Sequence, residues 1–390
     1  MDPGWTIGLA VSEIAVQHWL GLARVDDVGV RTAHKLVEHF GSPEAVYAAT
    51  LTALEACGLA GRVAQRIRAG SGLAEAEREL AAAEKCGCRP VPFGSEEYPP
   101  LLKQIADPPL VLYVRGDASI LPRHAVAMVG TRRPTAYGSS VAHRLAADLA
   151  QRGVVIVSGL ARGIDSAAHR GALEVEGKTV AVLGCGVDVT YPRENKRLTD
   201  QIIASGAVIS EFPIGTAPQP ENFPIRNRII SGLALGVVIV EGAEYSGSLI
   251  TARLASEQDR EVYAVPGNIT SAQSFGPNLL IKQGAKLVDN WMDVFEEFPA
   301  TARAQLLPPS SEMEPRHERT QPLFEPGSAS GLNEDQKAVY NALRADQSAF
   351  IDSIFELVPL PQSRVLSALL ELEMNGLVRQ LPGKNFIRKL

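Results

Sequence analysis

An arginine inside a glycine turn, set between an apolar run and a helical pattern, is a device for holding anions. The stretch is Val154–Arg170, VVIVSGLARGIDSAAHR. Val154 to Val157 form the apolar run, Ser158-Gly159-Leu160-Ala161-Arg162-Gly163 the turn, and Asp165 and Ser166 open the helix. Glycines let the backbone approach a ligand, N–H groups are unpaired at a helix start, and the helix dipole adds partial positive charge. The spacing matches neither G-x-G-x-x-G nor the phosphate loop ending in Gly-Lys-Ser/Thr, so no dinucleotide or ATP is indicated. Catalytic groupings are poor. No Ser-His-Asp spacing stands out, and HExxH and GxSxG are absent. His169 reads as a group that orients the turn or caps a buried hydrogen bond, and Asp165 as the cap of its helix. Glu241 follows a buried run but has no carboxylate partner at metal-binding spacing. No catalytic residue, metal or cofactor is expected.

The elements that must position this turn recur along the chain. Apolar strands are predicted at Val111–Val114, Ala125–Val129, Val154–Val157, Thr179–Leu183, Ala207–Ser210, Val237–Val240 and Val262–Val265, with helical segments between them. Continuous apolar strands alternating with helices imply a parallel sheet covered on both faces, hence an α/β fold. Ligands in such sheets bind beyond the carboxyl ends of the strands, where the strand order switches. The post-strand corners are therefore the candidate site. They hold Gly130, Thr131, Arg132 and Arg133; then Ser158, Gly159, Arg162 and Gly163; then Gly184 and Gly186, followed by Tyr191, Arg193, Asn195 and Lys196. Glu211 precedes Phe223, Arg226, Asn227 and Arg228, and Glu241 precedes Ser246, Gly247 and Ser248.

The net charge of −6 gives no global sign of nucleic-acid binding. Locally the sign reverses: Arg123 to Arg170 contains seven arginines against two acids. Arginine dominates these corners, as bidentate phosphate recognition favours. A row of phosphates suits them better than one small anion, and Tyr137, Tyr191 and Phe223 offer faces for base stacking. The alternative for any one arginine is a structural pairing with Asp165, Glu211 or Glu241.

Around this core, 390 residues allow two or three domains. Hydrophobic content of 45% and charged content of 21% are ordinary for a soluble protein. The N-terminus lacks a signal-peptide pattern and no run is long enough to span a bilayer, so a cytoplasmic protein is expected. Cys57, Cys86, Cys88 and Cys185 lack zinc-site spacing and read as reduced thiols. Residues 1–85 read as a helical module. Leu22–Ala49 within it resembles helix-hairpin-helix or sterile-alpha-motif-like modules; plain helical packing is the equal alternative, because Asp26 and Asp27 flank the hairpin. Residues 86–298 form the α/β domain, and 299–331, rich in Pro, Ser, Glu and Arg, a flexible linker. Residues 332–390 read as three helices and a hairpin around Pro382-Gly383, a winged helix. Its third helix, QSRVLSALLELEMN, carries one arginine among apolar and acidic residues, which points to protein contact more than groove reading.

Several strings resemble one family, DNA-processing protein A, also called DprA or Smf. They are VGTRRPTAYG (129–138), VSGLARGIDSAAH (157–169), LGCGVDVTYPRENKRL (183–198), SEFPIGTAP (210–218), NFPIRNRIISGL (222–233), VEGAEYSGSLITARLA (240–255) and VPGNITSAQSFGPNLLIKQGAKL (265–287). The resemblance implies an extended Rossmann-like doubly wound domain that binds single-stranded DNA, forms homodimers, and loads the RecA recombinase onto incoming strands during natural transformation. It places Arg132 and Arg193 on DNA phosphate and offers Leu279, Leu280 and Ile281 for the dimer contact. The alternative is a nucleotide-binding or nucleoside-monophosphate-cleaving enzyme of the related Rossmann-like group. Those enzymes carry a Pro-Gly-Gly-x-Gly-Thr string and a catalytic glutamate, which the stretch after Glu241 lacks. A ligand-sensing winged-helix transcription factor is a third reading, opposed by the acidic third helix.

Overall fold

The computed structural model describes residues 13–306, 332–345, 348–381 and 383–388. Among the described residues six helices come first: α1 (Glu13–Leu22), α2 (Val30–Phe40), α3 (Pro43–Ala48), α4 (Leu51–Ala56), α5 (Gly61–Arg68) and α6 (Leu73–Lys85). Their boundaries follow local chemistry. Gly41 closes α2 in the left-handed region at φ 89°, and the Ser42 hydroxyl accepts the Ala45 N–H at 3.1 Å to start α3. Asp26 and Asp27, beside the hairpin, are paired with Arg62 and Arg66.

The next strands are β1 (Arg89–Pro92), β2 (Val111–Gly116) and β3 (Ala125–Val129). Then α7 (Ala136–Ala150), β4 (Val155–Ser158), α8 (Ile164–Glu174), β5 (Thr179–Val182), α9 (Lys196–Ser205) and β6 (Ala207–Ser210) alternate. The second half continues with α10 (Asn222–Gly232), β7 (Gly236–Ile239), α11 (Gly247–Glu257), β8 (Glu261–Ala264), α12 (Phe275–Lys282), β9 (Lys286–Leu287), α13 (Trp291–Glu296) and α14 (Ala300–Leu306).

The sheet has nine strands in the order β1-β2-β6-β5-β4-β3-β7-β8-β9. From β6 to β9 every pairing is parallel, with Ala127 opposite Val157 on one side and Val237 on the other. Apolar residues on alternate faces of these strands feed two separate cores. Val155, Val157 and Ile239 point into one, and Val126, Ile156 and Val238 into the other. That accounts for the continuous rather than alternating apolar runs. The order reverses at β3, so the switch point lies between the carboxyl ends of β3 and β7.

Four features depart from the sequence expectation. β1 and β2 are antiparallel additions at one edge, with β2 antiparallel to β6. The short β9 extends the other edge. The helical module shares a core with the sheet edge: Trp19, Leu36 and Ile67 cluster with Leu110, Val111 and Tyr113. Finally, α14 falls inside the expected linker. Ala302 is buried there, Leu306 packs on the sheet core, and Gln305 Oε1 meets His124 Nε2 at 2.7 Å. These contacts hold residues 300–306 to the α/β domain, while the rest of the expected linker, 307–331, lies outside the described residues.

The C-terminal unit comprises α15 (Glu334–Ala342), β10 (Ala349–Phe350), α16 (Ile351–Leu357), α17 (Gln362–Met374), β11 (Val378–Leu381) and β12 (Asn385–Arg388). Val339, Ile354, Val365 and Leu369 form its own core. Three helices and a three-stranded sheet in the order β10-β12-β11 make the expected winged helix.

Candidate nucleic-acid interface

A cleft of about 1000 Å³ opens at the switch point. The corner after β3 forms one wall with Gly130, Thr131, Arg132 and Arg133. Tyr191, Phe223, Arg226 and Asn227 form the second, and Ser246, Gly247 and Ser248 at the start of α11 the third. Arg132 and Arg133 are exposed, and neither has an ion-pair partner among the described residues. The Arg132 guanidinium lies 5.5 Å from the Phe223 ring centre, and Tyr191 stands 5.6 Å from the same ring at 32°. This is an aromatic step beside a cation, a geometry suited to stacked bases next to a phosphate. Gly184 makes it possible, because a Cβ there would sit 2.9 Å from Phe223.

Behind the cleft, internal carboxylates fill the start of one helix and the glycine turn before another. Glu241 is 2% exposed. Its carboxylate accepts the Thr135 N–H at 2.9 Å and the Thr135 hydroxyl at 2.5 Å, and that hydroxyl accepts the Gly138 N–H to cap α7. Burial raises the Glu241 carboxyl, while the Thr135 bonds pull it down. Asp165 does the same for the neighbouring turn, accepting the Gly159 and Ala161 N–H groups at 3.1 and 3.3 Å. It is therefore not the N-cap of α8; that position belongs to Gly163, at φ 76°. Burial raises Asp165, opposed first by the Arg226 charge. A free dinucleotide phosphate normally occupies these places. Here they are taken, so the available positive charge lies outside them.

That arrangement changes the roles expected of several residues. Ser158 is buried and donates to Met128 O at 2.6 Å; Gly159 has its N–H on Asp165 and its carbonyl on Arg226. Arg226 is 5% exposed and donates to Gly159 O at 2.8 Å and to Val182 O. Burial draws its guanidinium down to about 10, still charged at neutral pH. Arg228 is held by Glu211 at 2.5 Å and Asp107 at 3.2 Å, the structural pairing weighed above. Asn195 is buried with its amide on Leu160 O and Ser166 Oγ, both at 2.9 Å. Gly184 and Gly186 are buried, and Gly186 gives its N–H to Thr216 O at 2.9 Å. These seven residues build the site from within, because their polar groups are already engaged or covered. Tyr137 is likewise withdrawn, its hydroxyl bonded to Pro266 O at 2.9 Å.

Arg162, Gly163, Arg193 and Lys196 do not line the cleft. Arg162, Arg193 and Lys196 lie exposed beside it; Arg162 is paired with Glu194 at 2.8 Å and Lys196 with Asp200 at 3.4 Å. His169 is fully buried, and its Nδ1 meets Thr179 Oγ1 at 2.7 Å. That hydroxyl donates to Ile156 O, so it accepts from His169, which fixes the proton on Nδ1 and leaves Nε2 bare. Burial, then the Arg226 charge, pulls this imidazole down to about 3.

The cleft also contains residues that sequence reasoning passed over: Tyr245, 92% exposed, with Ile250, Gln273 and Phe275. Tyr245 sits between two flagged positions in the corner after β7, so its place in the chain was the available signal. Phe275 carried none, since it arrives from the loop after β8. Leu279, Leu280 and Ile281 lie half-buried on α12. Among the described residues no group of three or more His, Cys, Asp or Glu could hold a metal ion, no helix is long and apolar enough to cross a membrane, and the four cysteines are free thiols.

The family described as DNA recombination-mediator protein A matches residues 89–299, and the DprA winged helix domain matches 325–384. DNA processing protein DprA of Bacillus subtilis is 47% identical over 223 residues, 57% of this chain and 75% of that protein. Protein Smf of Escherichia coli is 40% identical over 294 residues, 75% of each chain. An X-ray structure of DNA processing protein A from Streptococcus pneumoniae is 35% identical with a TM-score of 0.65, covering 72% of this chain and 98% of that one. The matched strings cross every wall of the cleft, and on these findings the chain belongs to the DNA recombination-mediator protein A family, DprA/Smf.

Proposed function

We propose that this chain binds single-stranded DNA along the switch-point cleft, protects incoming strands and loads RecA onto them during natural transformation, without catalysing a reaction of its own. The observation that carries the reading is exposed Arg132 beside the Tyr191–Phe223 step, with exposed Arg133 next to it in sequence, in front of a helix start and a glycine turn already filled by Glu241 and Asp165. Phosphates run past Arg132, Arg133 and Arg193, with Lys196 and Arg162 recruited from weak exposed pairs. Bases stack on Tyr191 and Phe223, and Thr131, Asn227, Ser246, Gly247 and Ser248 supply polar contacts. Such a surface reads backbone and π-faces, so base preference is small. The filled anion positions oppose the nucleotide-cleaving alternative. Cytoplasmic location and a homodimer through Leu279, Leu280 and Ile281 complete the proposal; RecA loading rests on the family's description as a recombination mediator.

The test is fluorescence anisotropy of a labelled oligothymidylate against wild type and the Arg132→Glu/Arg193→Glu variant. Binding is lost in the variant while its melting temperature holds. Normal binding by the variant places the DNA elsewhere.

A further inference from the structure

One charged side chain of the N-terminal module reaches out of its own domain. Glu79 on α6 accepts the Ile214 N–H through Oε1 at 2.7 Å, while its Oε2 meets Arg24 Nη2 at 3.1 Å. The Glu79 side chain is 14% exposed, and the buried Tyr113 hydroxyl on β2 also interacts with both Glu79 and Arg24. Arg24 and Tyr113 thus converge on one carboxylate whose Oε1 holds a loop.

That loop, after β6, is stitched to the corner after β5. Gly215 N–H donates to Asp188 Oδ1 at 2.8 Å, and Gly186 N–H donates to Thr216 O at 2.9 Å. Val187, between those two partners, is buried in the core of the helical module, and Arg115 holds its carbonyl at 3.3 Å. Val189 N–H returns to Gly186 O at 2.9 Å, and two residues later the chain presents Tyr191 against Phe223. A run of hydrogen bonds therefore leads from Glu79 to Val189, two residues short of the aromatic step.

We infer that Glu79 is a positioning residue for the cleft: the N-terminal helical module holds the Tyr191 corner in place through the Glu79–Ile214 bond and needs no DNA contact of its own to raise affinity. A bond to a charged group, partly shielded from water, is strong enough to bias a corner whose last residues, Asp188 to Tyr191, are half-buried or exposed. The inference rests on the proposed binding cleft. Because coupling is reciprocal, DNA on Tyr191 must in turn strengthen the bond at Ile214.

The test is a double-mutant cycle in the full chain, read by anisotropy of a fluorescein-labelled oligothymidylate. Glu79→Leu fills the space without an acceptor, and Glu79→Gln keeps an acceptor for Ile214. Glu79→Leu raises Kd about fivefold, within the range of coupled neighbours, while Glu79→Gln stays close to wild type. In a Tyr191→Ala background the Glu79→Leu effect disappears. An equal factor in both backgrounds, or no effect in the first, overturns the inference. A readout on the wild-type protein guards against misfolding of a variant: hydrogen exchange across 211–216 slows when oligothymidylate binds, and unchanged exchange there also overturns it. If wild type does not bind, or Tyr191→Ala alone leaves Kd unchanged, the cleft assignment fails. The positioning role is then judged without DNA: Glu79→Leu must speed exchange across 186–193, and unchanged exchange refutes it.

Discussion

The buried imidazole of His169 makes the stability of this chain depend on pH in a way that one substitution isolates. In the fold the ring is neutral, protonated on Nδ1 toward Thr179 and bare at Nε2, with its pKa drawn down to about 3. Unfolded, it titrates at the ordinary value of 6.5. Between those limits the unfolded chain binds the extra proton, so stability falls as pH drops below 6.5. Each pH unit below that costs about 1.4 kcal/mol, or ~2 kcal/mol by pH 5. Asp165, Glu211 and Glu241 act in the opposite sense, because burial raises all three and the fold holds their protons more tightly. A pH scan of wild type alone therefore mixes signs. The difference between wild type and His169→Gln cancels the carboxylates and leaves the histidine. At pH 7.5 the variant is less stable by about 1 kcal/mol, the worth of a disturbed buried hydrogen bond. At pH 5 wild type has lost ~2 kcal/mol that the variant keeps, so their order reverses. Urea unfolding followed by circular dichroism at both pH values measures this. A gap of constant size and sign refutes the neutral, buried assignment of the ring.

A Cβ at Gly138 would lie 2.3 Å from the Glu241 carboxylate. Gly138→Ala therefore forces the α7 cap apart and lowers stability by about 1–3 kcal/mol, seen as an earlier thermal melt; an unchanged melt contradicts the role given to Glu241. Truncation separates the tail from the site. A chain ending after Leu306 keeps its melting temperature and most of its oligothymidylate affinity, whereas one ending at Phe298 exposes the surface under Ala302 and melts earlier. Equal melts for the two truncations show that α14 adds nothing to the core.

Much of the fold is legible in the sequence because buried parallel strands write long apolar runs. Ala125–Val129 and Ala207–Ser210 match their strands residue for residue, and the remaining predicted strands shift by one or two positions. β1 and β9 were hidden for a physical reason: Arg89-Pro90-Val91-Pro92 reads as a proline-broken segment, and Lys286–Leu287 is two residues long. The linker reading of 299–331 failed at α14 because composition reports average polarity, while Ala302 and Leu306 dock through two apolar side chains. At the site, the corners were legible but the use of each polar group was not. An arginine beside a glycine reads the same whether it faces solvent, as Arg132 does, or donates inward, as Arg226 does. The turn around Arg162 shows the same limit. Its glycines suggested open N–H groups, and the fold closes two of the turn's N–H groups with Asp165.

The central claim is that single-stranded DNA lies across an exposed row of cations at the switch point, and the salt dependence of binding tests it most directly. Arg132 and Arg133 are exposed there, and Arg193, Lys196 and Arg162 are exposed beside them. Four to five phosphates neutralised in this way give log K a slope of about −3 against log salt concentration for a single strand. The Arg132→Glu/Arg193→Glu variant, if residual binding is measurable, has a slope shallower by about 1.4. An oligothymidylate titration from low to moderate salt with those slopes supports the cleft. A flat wild-type affinity, or a variant with the wild-type slope, contradicts it.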